Sequence, residues 1–120
     1  MPDFEINFLD HVAITVNDIN ASINWYKKVF GLKKVQLPKW GSAPIFMMAG
    51  KSGIALFPKK GKNDFNYNDT SIRIDHFAFN VSNNNFEKAK AHFINLGLAF
   101  ELKDHHYFHS IYIKDLDGHT

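Results

Sequence analysis

Two histidines occupy matching places in the chain. "LDHVAITV" (residues 9–16) and "IDHFAFNV" (residues 74–81) both open with an apolar residue, Asp and His, then alternate small or polar with bulky apolar residues. Imidazole titrates near neutral pH, and in its neutral form it is a common metal ligand, so His11 and His76 are the first candidates for chemistry. A lone histidine in an apolar strand is more often a packed core residue, but here it has a twin. A second group, "DHHYFHS" (residues 104–110), holds His105, His106 and His109 beside Tyr107. The chain has no cysteine, which excludes a thiolate nucleophile, a thiolate metal site and a disulfide framework. Twelve phenylalanines and seven histidines point to imidazole chemistry in an aromatic-rich setting.

The elements that must position these residues repeat as well. With residues 9–32 set above residues 74–98, Asp10 meets Asp75, His11 meets His76, Ala13 meets Ala78 and Val16 meets Val81. One extra residue before Gly97 then aligns Gly31-Leu32 with Gly97-Leu98. Each copy predicts a strand followed by a helix. In the first strand His11, Ala13 and Thr15 share one face, opposite Val12, Ile14 and Val16. In the second, His76, Ala78 and Asn80 lie opposite Phe77, Phe79 and Val81. The bulky face suits packing against a helix, and the histidine face, small and polar, suits a cavity wall. Asn17 or Asp18 can cap the first helix, which buries Ile19, Ile23, Tyr26 and Phe30 and exits at Gly31. Asn83 or Asn84, with Ser82 as the alternative, can cap the second, with Phe86, Ala89, Phe93 and Leu96 inward and Gly97 at its end. Trp25, Tyr26 and Phe30 read as helix packing, and His92 as exposed.

Further strands are expected near 33–37, 44–49 and 53–57 after the first helix, and near 99–103 and 109–114 after the second. Residues 58–71, "PKKGKNDFNYNDTS", read as a polar linker with possible substrate-loop duty. "KDLDGH" (residues 114–119) closes the chain as a turn. Copy one supplies βαβββ and copy two βαββ.

Length and charge bound the partners. One domain suits 120 residues, with a core that needs no staples. The formal charge of +2 is the balance of thirteen lysines and one arginine, Arg73, against twelve acidic residues, spread along the chain, so no nucleic-acid partner is expected. Lys59, Lys60, Lys62 and Arg73 could attract an anionic substrate but read first as solvated charge. The acidic start lacks a signal pattern and no apolar run reaches membrane-spanning length, so a cytoplasmic protein without a membrane partner is expected.

These residues resemble the vicinal oxygen chelate superfamily, the glyoxalase, bleomycin-resistance and extradiol-dioxygenase group. The likeness rests on "DHVAITVNDINASINWYKKVFGL", the second "DHFAFNV" and "SIYIKDLDGHT", and covers about residues 9–120. It implies an α+β fold of two paired βαβββ modules forming a cup, with the last strand missing from this chain. Module one would cover about 8–58, the linker about 59–72 and module two about 73–120 of a single domain. By resemblance His11 and His76 are metal ligands from the first strand of each module, facing one another across the cup. Imidazole suits divalent Mn, Fe, Co, Ni or Zn. The strand in module one that gives a glutamate or histidine in four-ligand glyoxalases reads "GIALF" here, with Ala55 at the aligned place. A four-ligand lactoylglutathione lyase is therefore disfavoured. The family carboxylate ligand would fall just beyond Thr120, so weak or absent metal binding is expected of this chain.

Ser110 and Tyr112 match positions that, in the fosfomycin-resistance branch, line the pocket and contact an anionic substrate; the bland alternative is a solvated strand face. Ala13 stands where that branch often carries a hydroxyl or thiol, which makes fosfomycin a doubtful substrate. Tyr107 and His109, at the cup rim, are acid or base candidates. His105 and His106 read as exposed loop residues and His119 as ordering backbone. Trp40, outside both periodic segments, is a candidate cover for the pocket mouth. The resemblance implies a homodimer acting on a small oxygen-rich molecule by isomerase or lyase chemistry, thiol transfer or dioxygenation. Its alternative is a metal-free protein that sequesters a small molecule, as bleomycin-resistance members do.

Overall fold

The computed structural model describes residues 2–60 and 72–120, so most of the expected linker lies outside the described residues. The chain divides into two compact units, Met1–Lys60 and Gly61–Thr120.

The first unit is built as β1 (His11–Val16), α1 (Ile19–Phe30), β2 (Lys33–Val35), β3 (Ile45–Ala49) and β4 (Ser52–Pro58). Its sheet has the order β1-β4-β3-β2; β1 runs parallel to β4, and the other neighbours are antiparallel. A parallel pair needs a crossover, and α1 with the β2–β3 meander supplies it. α1 starts because the Asp18 carboxylate accepts from Ala21 N–H at 3.0 Å. It stops at Gly31, whose φ of 67° lets its N–H reach back to Lys27 C=O. The helix buries Ser22, Ile23, Tyr26 and Val29. Ile14, Val16, Ile45, Met47, Ile54 and Leu56 form the sheet's part of the same core. Each such apolar side chain contributes roughly 1.5–3 kcal/mol when fully buried. Along β1 the bulky face is the inner one, while His11, Ala13 and Thr15 are exposed.

β2 ends at Val35, short of the expected 37, because Pro38–Trp40 winds into a 3-10 turn. Pro38 cannot donate to a ladder, and its fixed φ suits the first turn of a helix. Tyr26 is buried, whereas Phe30 stays 37% exposed, so the inward role expected of it is only partial.

The second unit departs from expectation at its start. Residues 74–81 join no strand ladder among the described residues. Phe77 N–H donates to Thr120 C=O at 3.3 Å, which ties this segment to the end of the described chain. β1 is a strand because β4 pairs with it from end to end; no described residue of the second unit takes the place of β4. α2 (Asn83–Asn95) is capped by Ser82, whose hydroxyl accepts from Asn85 N–H at 3.2 Å. Phe93 is its buried residue, with Phe86, Ala89 and Leu96 half-buried. β5 (Glu101–Asp104) and β6 (His109–Tyr112) form a hairpin. β6 stops short of the expected 114 as the chain enters a loop closed by Asp115. Its carboxylate accepts from the N–H groups of Asp117 and His119, both at 2.9 Å. The main chain of His119 closes the loop from the other side as well, its C=O accepting from Asp115 N–H at 2.9 Å.

The repeat reaches into strand register. Allowing for the extra residue before Gly97, the pair Val35↔Phe46 in β2–β3 maps onto Glu101↔Tyr112 in β5–β6, which is the pair observed.

Candidate functional site

His11 opens β1 opposite Gly53 of β4. A Cβ at Gly53 would lie 2.5 Å from Met47 O and 2.6 Å from Met48 Sδ, so only glycine lets β3 and β4 close up beside the histidine. His11 Nδ1 hydrogen-bonds the Asp10 carboxylate at 2.7 Å, and the ring stands edge-on to Phe46, with centroids 5.0 Å apart. The second unit repeats this arrangement. His76 Nδ1 bonds the Asp75 carboxylate at 2.8 Å, and its ring stands edge-on to Tyr112 at 5.5 Å. Phe46 and Tyr112 are equivalent positions of the repeat. The hydrogen bond from His76 holds the Asp75 carboxyl below its ordinary range, helped by the charges of His76, Arg73 and Lys114.

A carboxylate on Nδ1 fixes the tautomer and turns the Nε2 lone pair outward, the arrangement found behind histidines that bind metals. The His11 and His76 side chains are 39% and 42% exposed, open enough to take a ligand. By donor chemistry both suit a divalent transition metal. β4 adds no donor: Gly53, Ala55 and Phe57 share the His11 face, with Ala55 opposite Ala13 and Phe46. Among the described residues, no group of three or more His, Asp or Glu is close enough to hold a metal ion.

β5 and β6 gather a polar face around Tyr112. Lys103 stands opposite Ser110, and its ammonium lies 5.1 Å from the centre of the Tyr112 ring. His105, expected to be an exposed loop residue, is half-buried, with Nε2 3.2 Å from the Tyr112 hydroxyl. Sequence reasoning missed Lys103 and the inward place of His105 because only the hairpin register brings the first to Tyr112 and only the turn conformation brings the second. The acid–base candidates lie elsewhere: Tyr107 is 97% exposed on the turn, and His109 is exposed and alternates with Ser110 along β6. His106 adopts a φ of 72° on the same turn.

In the first unit Trp40 packs over Phe46, with ring centroids 5.0 Å apart. Its turn is held by Gln36 Nε2 donating to Gly41 C=O at 2.7 Å and by Trp40 N–H donating to Leu37 C=O. Asp10, Lys33, Val35, Trp40, Phe46 and Met48 line a groove of about 740 Å3.

Residues 8–120 match the profile of the Glyoxalase/Bleomycin resistance protein/Dioxygenase superfamily, and the chain belongs to that family. It is 30% identical over 121 residues to metallothiol transferase FosB of Staphylococcus epidermidis, which spans 96% of this chain and 79% of the relative. It is 31% identical over 117 residues to metallothiol transferase FosB of Lysinibacillus sphaericus, spanning 95% and 79%. Among solved structures, a glyoxylase/bleomycin resistance protein/dioxygenase domain from Frankia sp. EAN1pec has a TM-score of 0.75 at 22% identity, covering 95% of this chain and 87% of that one. The helices and mixed sheets are those of this α+β fold.

Proposed function

We propose that the protein is a metal-dependent enzyme that joins a thiol cosubstrate to a small, oxygen-rich, anionic acceptor. The observation that carries this reading is the twice-built Asp–His pair, in which Asp10 and Asp75 each orient an imidazole through Nδ1. His11 and His76 would be ligands of a divalent metal (Mn, Fe, Co, Ni or Zn), which when bound supplies Lewis-acid stabilisation of charge on acceptor oxygens. Lys103, Ser110 and Tyr112 would hold the anionic group, one ammonium and two hydroxyls on one face. Trp40 would wall the apolar side. The thiol must come from a cosubstrate because the chain has no cysteine, and the FosB relatives are named for such a transfer. Ala13 offers only a methyl beside His11, so the acceptor need not be fosfomycin. Tyr107 and His109 stand as acid–base candidates that substitution to Phe tests: unchanged turnover removes them. The protein would work as a homodimer in the cytoplasm, each chain a single domain of two modules; Phe4, Ile6 and Leu9, all more than two-thirds exposed, are apolar surface for such association.

The deciding measurement is elemental analysis of protein purified without chelator, with thiol consumption followed across an acceptor panel. A metal content that disappears in His76→Ala, together with metal-dependent thiol consumption, is the expected result. Metal in neither protein would leave the sequestration reading, which the Trp40–Phe46 groove favours.

A further inference from the structure

The groove on the first unit has a chemistry of its own. Val35, Phe46 and Met48 make an apolar floor, and Trp40 overhangs Phe46 with the two rings tilted by 37°. Indole and thioether surfaces accept planar or branched apolar groups of varied shape. Two polar groups of the groove lining have no partner among the described residues: the Lys33 ammonium makes no ion pair, and the Trp40 indole N–H makes no hydrogen bond. Both are donors. The lining carboxylate, Asp10, is already bonded to His11. An apolar trough with free donors at the β2 side, three strands away from the Asp10 carboxylate, matches a ligand with an apolar body and a negative end at Lys33.

Strand register fixes where that end would lie. His11, Gly53, Met48 and Lys33 fall in one row across β1, β4, β3 and β2. Three strand spacings separate His11 from Lys33 along this row, about 14 Å between their backbones. The next row, Ala13, Ala55, Phe46 and Val35, gives the groove its smooth side wall. A ligand anchored at Lys33 therefore has room for a ring or branched chain over Met48, beside the Trp40–Phe46 pair, before it reaches the histidine.

We propose that this groove binds the apolar body of a carboxylic acid, an aryl or branched-alkyl carboxylate, with its carboxylate at Lys33 and its body over Val35 and Met48, walled by the packed Trp40–Phe46 pair. The inference rests on the enzymatic reading only for its place in catalysis; it selects an acceptor larger than three carbons that carries a second negative end, the carboxylate at Lys33, with its reacting oxygens and the other anionic group at the end remote from Lys33. Gln36 serves as a positioning residue, since its amide pins the turn that carries Trp40.

Binding can be tested without metal or turnover. Calorimetry on chelator-treated protein would compare 3-phenylpropanoate, its neutral amide and propanoate. Fluorescence of a Trp25→Phe variant would report on Trp40 alone. The expected order is phenylpropanoate tightest, with the amide and propanoate each weaker by about tenfold, or 1.4 kcal/mol. Lys33→Gln should bring the acid to the level of the amide, and Trp40→Ala should weaken both aromatic probes by a similar factor. The proposal is overturned by equal affinity for acid and amide, by a preference that survives Lys33→Gln, or by the absence of saturation with every probe. Calorimetry on the unaltered chain keeps the test valid should Trp25→Phe fold poorly. Because the metal is removed beforehand, a negative result leaves the elemental analysis standing, and absent metal leaves this binding result standing.

Discussion

Orientation separates a histidine that is merely exposed from one prepared for a ligand. His11 and His76 are each tied through Nδ1 to the carboxylate that precedes them in sequence. Replacing Asp75 by Asn keeps the shape but removes the charge, and should lower affinity for a divalent metal by about 10- to 100-fold, measured by competition with a chromogenic chelator. The same pair has a signature in acid. Because the hydrogen bond from His76 holds the Asp75 carboxyl below its ordinary value, the pair's stabilisation is present above the unfolded carboxyl pKa. It is lost as pH falls through the lower, folded one. A carbon-detected NMR titration should place the Asp75 midpoint below the ordinary carboxylate range, and His76→Ala should move it back up. The histidines were legible in sequence because they are duplicated. Their link to the aspartates was not, since neighbours on extended backbone point to opposite faces. Lys103 and His105 were hidden for a different reason: Lys103 needs the β5–β6 register and His105 needs the conformation of the turn to reach Tyr112.

At the scale of elements, local chemistry was read well where the element is closed on itself. Asp18, Ser82 and Gly31 act where helix punctuation places them. The strands of the first unit were legible because β3 and β4 alternate against a packed helix, and their ends moved by only a few residues. The start of the second copy was not. An apolar, alternating sequence such as residues 74–81 predicts a strand, but a strand exists only through its partner, and β1 owes its ladder to β4. The tight seam beside His11 gives the sharpest test at this scale. Gly53→Ala puts a methyl within 3 Å of the Met47 carbonyl and the Met48 thioether. The carbonyl cannot swing aside as a side chain would, so β3 and β4 must part. The expected cost is about 1–3 kcal/mol in urea unfolding, with loss of metal affinity beyond that of a surface change such as Lys51→Ala.

Taken as a whole, the two copies of the repeat are unequal in buried apolar surface although alike in pattern. Among the described residues, eleven of the twelve buried apolar side chains belong to the first unit, and only Phe93 belongs to the second. The apolar positions of residues 74–81 and of β5 include Ile74, Val81 and Leu102, exposed by 73%, 46% and 51%. At roughly 25 cal/mol per Å2 of apolar surface removed from water, this difference sets the order in which the units open. Amide hydrogen exchange followed by mass spectrometry should therefore find the slowest amides in β1, β3, β4 and α1. α2 and the β5–β6 hairpin should exchange through openings of much lower free energy. Met47→Ala, which deletes a fully buried side chain from the first core, should cost about 2–5 kcal/mol and speed exchange throughout the first unit. Uniform protection across both units would show that burial in the isolated chain does not govern its openings. Metal added to the same experiment should slow exchange around residues 75–77, because a ligand that binds only the folded form stabilises whatever element presents its donors.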